Sequence, residues 1–165
     1  MMLLTAQPLS KQAFSPFGQV IEIDAVASSF DINGGNAQRF HDLAQVDVED
    51  QSGRPLISVF RAMPRAEPVQ LTLMERHPLG SQAFMPLTRQ PYLIVVADDL
   101  DGRPGTLHAF VTRGWQGVNY GKGVWHHPLL ALREAGDFIV IDRGGPGCNL
   151  EEHPLTEIVS IAPLG

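Results

Sequence analysis

Cysteine, lysine and long apolar runs are all scarce in this sequence. Of 165 residues only Cys148 is a cysteine, which excludes an internal disulfide and a thiolate metal cluster. Ten of the twelve basic residues are arginine, leaving Lys11 and Lys122 as the lysines. They form no basic stripe, and the net charge is −6, so a nucleic-acid partner is not expected. No apolar run approaches the ~20 residues needed to span a bilayer. The opening "MMLLTAQPLSKQAF" has neither the basic n-region nor the apolar stretch of a secretory signal. A soluble, cytoplasmic protein with no membrane partner is the expectation.

Glycine and proline, by contrast, are abundant at 16 and 13 residues, and they punctuate short apolar segments. Seven of these read as strands: 18–23, 56–62, 70–77, 92–97, 106–112, 137–143 and 157–162. Many short strands separated by turn signals predict a mainly β fold, a sandwich or barrel. Helix is expected only near the N-terminus, in "SKQAFSPFG" with Ser10 as N-cap and in "HDLAQVDVED" over 41–50. "ADDLDGRPG" (97–105) lacks the acidic spacing and closing glutamate of a calcium loop and reads as a hairpin connection. With no repeat or linker to divide it, the chain is expected to form a single domain over 1–165.

Strand alternation turns "QLTLMERH" into a site hypothesis. Leu71, Leu73, Glu75 and His77 share one face, and the leucines mark it as interior. A carboxylate and an imidazole directed inward need a partner, a hydrogen bond or a metal. In "GKGVWHHPL" the same alternation sends His126 and His127 to opposite sides, with His126 expected to enter the site. A hydrogen-bonded Glu75–His77–His126 cluster without metal is the alternative to a metal centre.

Inward histidines from two separated strands resemble the cupins, double-stranded β-helices of jelly-roll type. In that superfamily one motif supplies two histidines and a glutamate, and a later one supplies a third histidine. Here Glu75 stands where histidine is usual and Gln82 where glutamate is usual. A closer resemblance is to the ureidoglycolate lyase family. It is carried by "FSPFGQVIE" (14–22), "RFHDLA" (39–44), "ERHPLGSQAFMPL" (75–87), "QGVNYGKGVWHHPL" (116–129) and "DFIVIDRGG" (137–145). The resemblance implies a cupin-type barrel, a homodimer, an association with nickel, and cleavage of (S)-ureidoglycolate to glyoxylate and urea. A ureidoglycolate hydrolase releasing ammonia and carbon dioxide, and a non-catalytic oxoacid-binding cupin, are the rival readings.

The implied substrate carries a hydroxyl, a carboxylate and a ureido nitrogen on one carbon. Its cleavage calls for a Lewis acid on the hydroxyl, a grip on the carboxylate and a proton for the departing nitrogen. The expected ligands of a divalent metal are Glu75, His77, Gln82 and His126, with His77 and His126 central to catalysis. This ligand set suits nickel, zinc, iron and manganese alike. Arg61, following Ile57 and Val59 on its strand face, and Arg143, following Ile139 and Ile141, are the candidates for the substrate carboxylate. Lys122 is the candidate proton donor or lid charge. Asn119 and Tyr120, before the same turn, are candidates for the ureido group. An exposed strand-end arginine for Arg61, a structural salt bridge with Asp142 or another carboxylate for Arg143, a solvated loop lysine for Lys122 and turn hydrogen bonds for Asn119 and Tyr120 are the alternatives.

Overall fold

The structure, a computed structural model, describes residues 2–164. The chain begins with β1 (Met2–Leu4), β2 (Gln7–Pro8), the one-turn helix α1 (Lys11–Phe14) and β3 (Gly18–Ile21). A hairpin of β4 (Ser29–Ile32) and β5 (Ala37–Phe40) follows, then β6 (Arg54–Ala62), β7 (Gln70–Arg76) and β8 (Gln82–Pro86). Next come β9 (Tyr92–Leu100), β10 (Arg103–Val111), β11 (Gly117–Tyr120) and the two-residue strands β12 (Trp125–His126) and β13 (Leu130–Ala131). The long strands β14 (Gly136–Gly144) and β15 (Glu151–Ile161) complete the order.

Two sheets face each other. One runs β1-β15-β7-β12-β9-β10-β2, with β13 also on β9, and the other runs β3-β11-β8-β14-β6. This is the mainly β architecture, closed from short strands, that the sequence predicts. Strand β9 shows why it closes. Tyr92, Ile94 and Val96 pack between the sheets with Phe84, Val118, Phe138 and Val140. Leu93, Val95 and Ala97 turn to the other side and join Leu71, Met74, Trp125 and Val159. Both faces of β9 are therefore apolar, as a central strand requires.

The turns follow local chemistry. At the β9–β10 hairpin, Asp101 and Gly102 both have positive φ (50° and 79°), the geometry that an Asp-Gly pair supports. Ser10 caps α1 by accepting from the Ala13 amide, and Phe14 is wholly buried beneath it.

Two expectations need correction. Residues 41–50 form no helix beyond the 3-10 turn that starts at Asp50. The segment instead lies along the second sheet, where Asp47 donates to Ser81 Oγ, Ser81 N donates to the Asp47 carbonyl, and the Gln45 carbonyl takes a bond from Asn119. Nor does alternation hold throughout β7. Leu71 packs in the same cluster as Met74, across a register shift in the β7–β15 pairing, whereas Glu75 still points between the sheets.

Ile94 is 1% exposed and Ile57 80% exposed. Ile94→Ala is expected to lower unfolding free energy by about 2–5 kcal/mol, and Ile57→Ala by less than about 0.5 kcal/mol. Urea unfolding with unchanged m-values checks both.

Candidate metal centre

The two histidine segments do meet. His126 on β12 pairs in register with Glu75 on β7 on one side and with Val96 on β9 on the other. That register turns His126, like Val96, toward the space between the sheets. The turn before it is tied to the first segment, since Gly123 N donates to the His77 carbonyl. Glu75, His77 and His126 offer ligand atoms that all lie within 4.8 Å of one another.

Hydrogen bonds behind the rings decide which nitrogen faces inward. His77 Nδ1 lies 2.7 Å from the Asn149 carbonyl, and His126 Nδ1 lies 2.9 Å from the Val124 carbonyl. A carbonyl oxygen only accepts, so both Nδ1 atoms carry protons. In the neutral rings the Nε2 lone pairs then point into the cluster. His126 Nε2 stands 3.5 Å from Glu75 Oε1 and His77 Nε2 stands 4.0 Å from the same oxygen. Neither Nε2 has a hydrogen-bond partner among the described residues. Three electron-pair donors facing one another repel unless a proton or a metal cation lies among them. Backbone orientation of a ligating imidazole through its other nitrogen is also what metal sites use. The donor set therefore fits a divalent ion.

Burial works to raise the pKa of Glu75; a proton on His126 Nε2, then the charges of His77 and His127 when those rings are protonated, outweigh it and hold the carboxyl below its usual range. Tyr120 lies parallel on His126, with ring centroids 4.2 Å apart and 10° between planes. Burial, then the nearby Glu75 charge, raises the phenol's pKa well above the ordinary value, so it remains a hydrogen-bond donor at neutral pH.

Gln82 reaches the same interior from the opposite sheet. It pairs in register with Tyr120, and its Oε1 is buried without a partner among the described residues. A cavity of ≈ 410 Å³ opens beside it, lined by Glu75, Gln82 and Phe84, with Phe60, Arg61, Arg65 and Leu129 also on its walls.

The other predicted residues do not join the Glu75–His77–His126 cluster. Ile57, Val59 and Arg61 do share a face, but it is the outer one. Arg61 touches the cavity wall yet sends its guanidinium outward to grip Asp137 at 2.8 and 2.9 Å. Arg143 is 7% exposed and donates to the carbonyls of Asp50, Gln51 and Pro146, which pins two loops together. Lys122 pairs with Asp50 and Asp47, whose hydrogen bonds raise its pKa, and it lines a separate hollow with Asp98 and Asp99. Asn119 donates to Gln19 Oε1 and to the Gln45 carbonyl, which anchors the 41–50 segment. His127 is buried and has a lowered pKa, chiefly through burial, with the Arg65 charge adding to the effect.

Two residues escaped the sequence reading. Arg65 lies in "MPRAEP", a proline-flanked stretch without strand periodicity. Its guanidinium has no carboxylate partner among the described residues. Asp142 enters the sequence reading only as a salt-bridge partner for Arg143, although strand parity puts it on the opposite face, beside Gln82.

A carboxylate and two imidazoles gathered between the two facing sheets define a candidate metal-centred β-barrel protein. The chain belongs to the ureidoglycolate lyase family, whose sequence model matches residues 1–162. It is 57% identical over 157 residues to the ureidoglycolate lyase of Burkholderia mallei (strain NCTC 10229), covering 95% of this chain and 92% of that one. It is 53% identical to ureidoglycolate lyase 1 of Rhizobium meliloti (strain 1021), covering 91% and 88% respectively. Among solved structures it is similar to a dTDP sugar isomerase of Desulfovibrio desulfuricans, with 16% identity, 83% of each chain covered and a TM-score of 0.47.

The ring orientations give a direct test. Nitrogen-15 NMR of histidine-labelled protein is expected to show His77 and His126 protonated at Nδ1, with unprotonated Nε2 once a divalent cation is added. An Nε2–H signal at either ring in the presence of the cation would contradict the assignment.

Proposed function

We propose that this protein is an enzyme, a ureidoglycolate lyase that cleaves (S)-ureidoglycolate to glyoxylate and urea during allantoin degradation. The family match over residues 1–162 carries the reading, and the chemistry of the cavity supports it. The working unit is taken as one domain over 1–165, acting as a cytoplasmic homodimer.

Residues for a divalent ion, nickel by family resemblance, are His77 and His126 through Nε2, Glu75, and Gln82 through Oε1. When bound, the ion supplies Lewis acidity that eases loss of the substrate hydroxyl proton. Glu75, held ionised at the cavity wall, takes that proton on its second oxygen, Oε2. The carbinolamide then collapses: the C–O bond becomes a carbonyl as the C–N bond breaks. Glu75 returns the proton to the departing nitrogen, so urea leaves neutral and the proton balance closes.

Arg65, on the cavity wall and without a carboxylate partner among the described residues, takes the substrate carboxylate through paired N–H donors. Tyr120 donates a hydrogen bond from its protonated phenol to the substrate. Phe60, Phe84 and Leu129 on the cavity wall limit water around the breaking bond. Arg61 and Arg143, already committed to Asp137 and to loop carbonyls, hold the scaffold.

The reading is tested by incubating purified protein with (S)-ureidoglycolate and quantifying urea and ammonia before and after chelation and nickel restoration. Urea that falls on chelation and returns with nickel is expected. Ammonia in place of urea would make the enzyme a hydrolase, and binding without turnover would leave an oxoacid-binding cupin. Arg65→Gln is expected to raise KM at least about tenfold, as loss of a charge-assisted hydrogen bond implies, with a smaller change in kcat. Lys122→Met should keep kcat/KM within about threefold. A reversed pattern in these two variants would return the carboxylate or proton role to Lys122.

A further inference from the structure

We propose that Asp142 is a positioning residue for the metal centre. It fixes the side-chain amide of Gln82 so that the carbonyl oxygen, not the NH2 group, is presented to Glu75, His77 and His126. The inference rests on the metal-site reading above and adds a residue to it.

The placement follows from register. Ile141 on β14 pairs with Ala83 on β8, so Asp142 and Gln82 are neighbours on the adjacent inner-face row. Gln82 in turn pairs with Tyr120, which stacks on His126. One row of the second sheet thus runs Asp142–Gln82–Tyr120 and meets the histidine side of the first sheet. Gln82 Nε2 donates to Asp142 Oδ2 at 3.3 Å. An ionised carboxylate can only accept, so the amide nitrogen must take that side. The carbonyl oxygen is left facing the other way. It is buried and has no partner among the described residues, in a residue only 6% exposed.

The device has a chemical reason. A glutamate presents oxygen whichever way its terminal group turns. A glutamine presents oxygen in one orientation and an N–H donor in the other, and the second repels a cation. A glutamine serving as a metal ligand therefore needs a neighbour that selects the first orientation. Asp142 does so, and its negative charge beside the amide further favours a cation on the far side. This also accounts for a carboxylate placed on the inner face of a barrel, where no arginine or lysine pairs with it among the described residues. Its Oδ1 likewise has no partner there.

Calorimetric titration with nickel chloride, on full-length protein of verified circular dichroism and melting temperature, tests the role. Asp142→Leu is expected to weaken nickel binding about tenfold or more, the range seen when a residue that orients a ligand is lost. Asp142→Asn, whose carbonyl oxygen still accepts from Gln82, should stay within about threefold of the wild type. The double variant Asp142→Leu with Gln82→Glu should regain wild-type affinity within about threefold, because a carboxylate ligand needs no orienting partner. Asp142→Ala serves in place of the leucine variant should that one fail to fold. Wild-type affinity in both Asp142→Leu and Asp142→Ala, or no recovery in the double variant, would overturn the proposal while leaving the metal reading intact. A wild-type protein that binds no nickel would remove both.

Discussion

Two imidazoles held from behind by backbone carbonyls, with their free nitrogens turned toward one carboxylate, set the terms for this site. Lone pairs on His77 and His126 aimed at an ionised Glu75 oppose one another, and a region largely withdrawn from water weakens the screening of that opposition. A cation relieves it. The surroundings are arranged to keep the three groups in place. Tyr120 stacks on one ring, the Asn149 loop holds the other, and the pairing of β12 between β7 and β9 fixes the distance between the carboxylate and His126.

The barrel makes this affordable by separating polar from apolar levels within one interior. Phe84, Val118, Phe138 and Val140 fill one level between the sheets. Tyr120, Gln82 and Asp142 form the adjacent level facing the histidines. A row of hydrogen-bonding side chains can therefore sit inside without breaking the packing that closes the fold. The arginines are similarly divided. Arg143 clamps two loops together, Arg61 secures the outer face to Asp137, and Arg65 borders the cavity without a carboxylate partner among the described residues.

Much of this was legible in the residues. The long apolar strands β6, β7, β9, β10, β14 and β15 were each anticipated, because β-branched and aromatic runs bounded by glycine and proline have few other uses. Alternation correctly turned Glu75 and His126 inward. Strands β8 and β11 were not read, since "QAFMP" and "GVNY" are buried on both faces and include small residues and a proline, which blur a period of two. The 41–50 segment resembled a helix only in composition; its hydrogen bonds go to Gln19, Ser81 and Asn119, distant in sequence. Arg61 was misjudged for a physical reason. The face it shares with Ile57 and Val59 is apolar yet outward, with those residues 80% and 62% exposed, so apolar alternation on β6 marks the outside of the barrel. Arg65 and Asp142 depended on a loop path and a cross-sheet register that no local pattern reports.

The central claim is that Glu75, His77 and His126 together hold one divalent cation between the two sheets. Anomalous diffraction from crystals soaked in nickel chloride, collected on either side of the nickel absorption edge, tests it most directly. The account predicts a single dominant peak within bonding distance of both Nε2 atoms and a Glu75 oxygen, with Gln82 Oε1 directed at it. A dominant peak elsewhere, or none between the sheets while both rings keep their orientation, would contradict it.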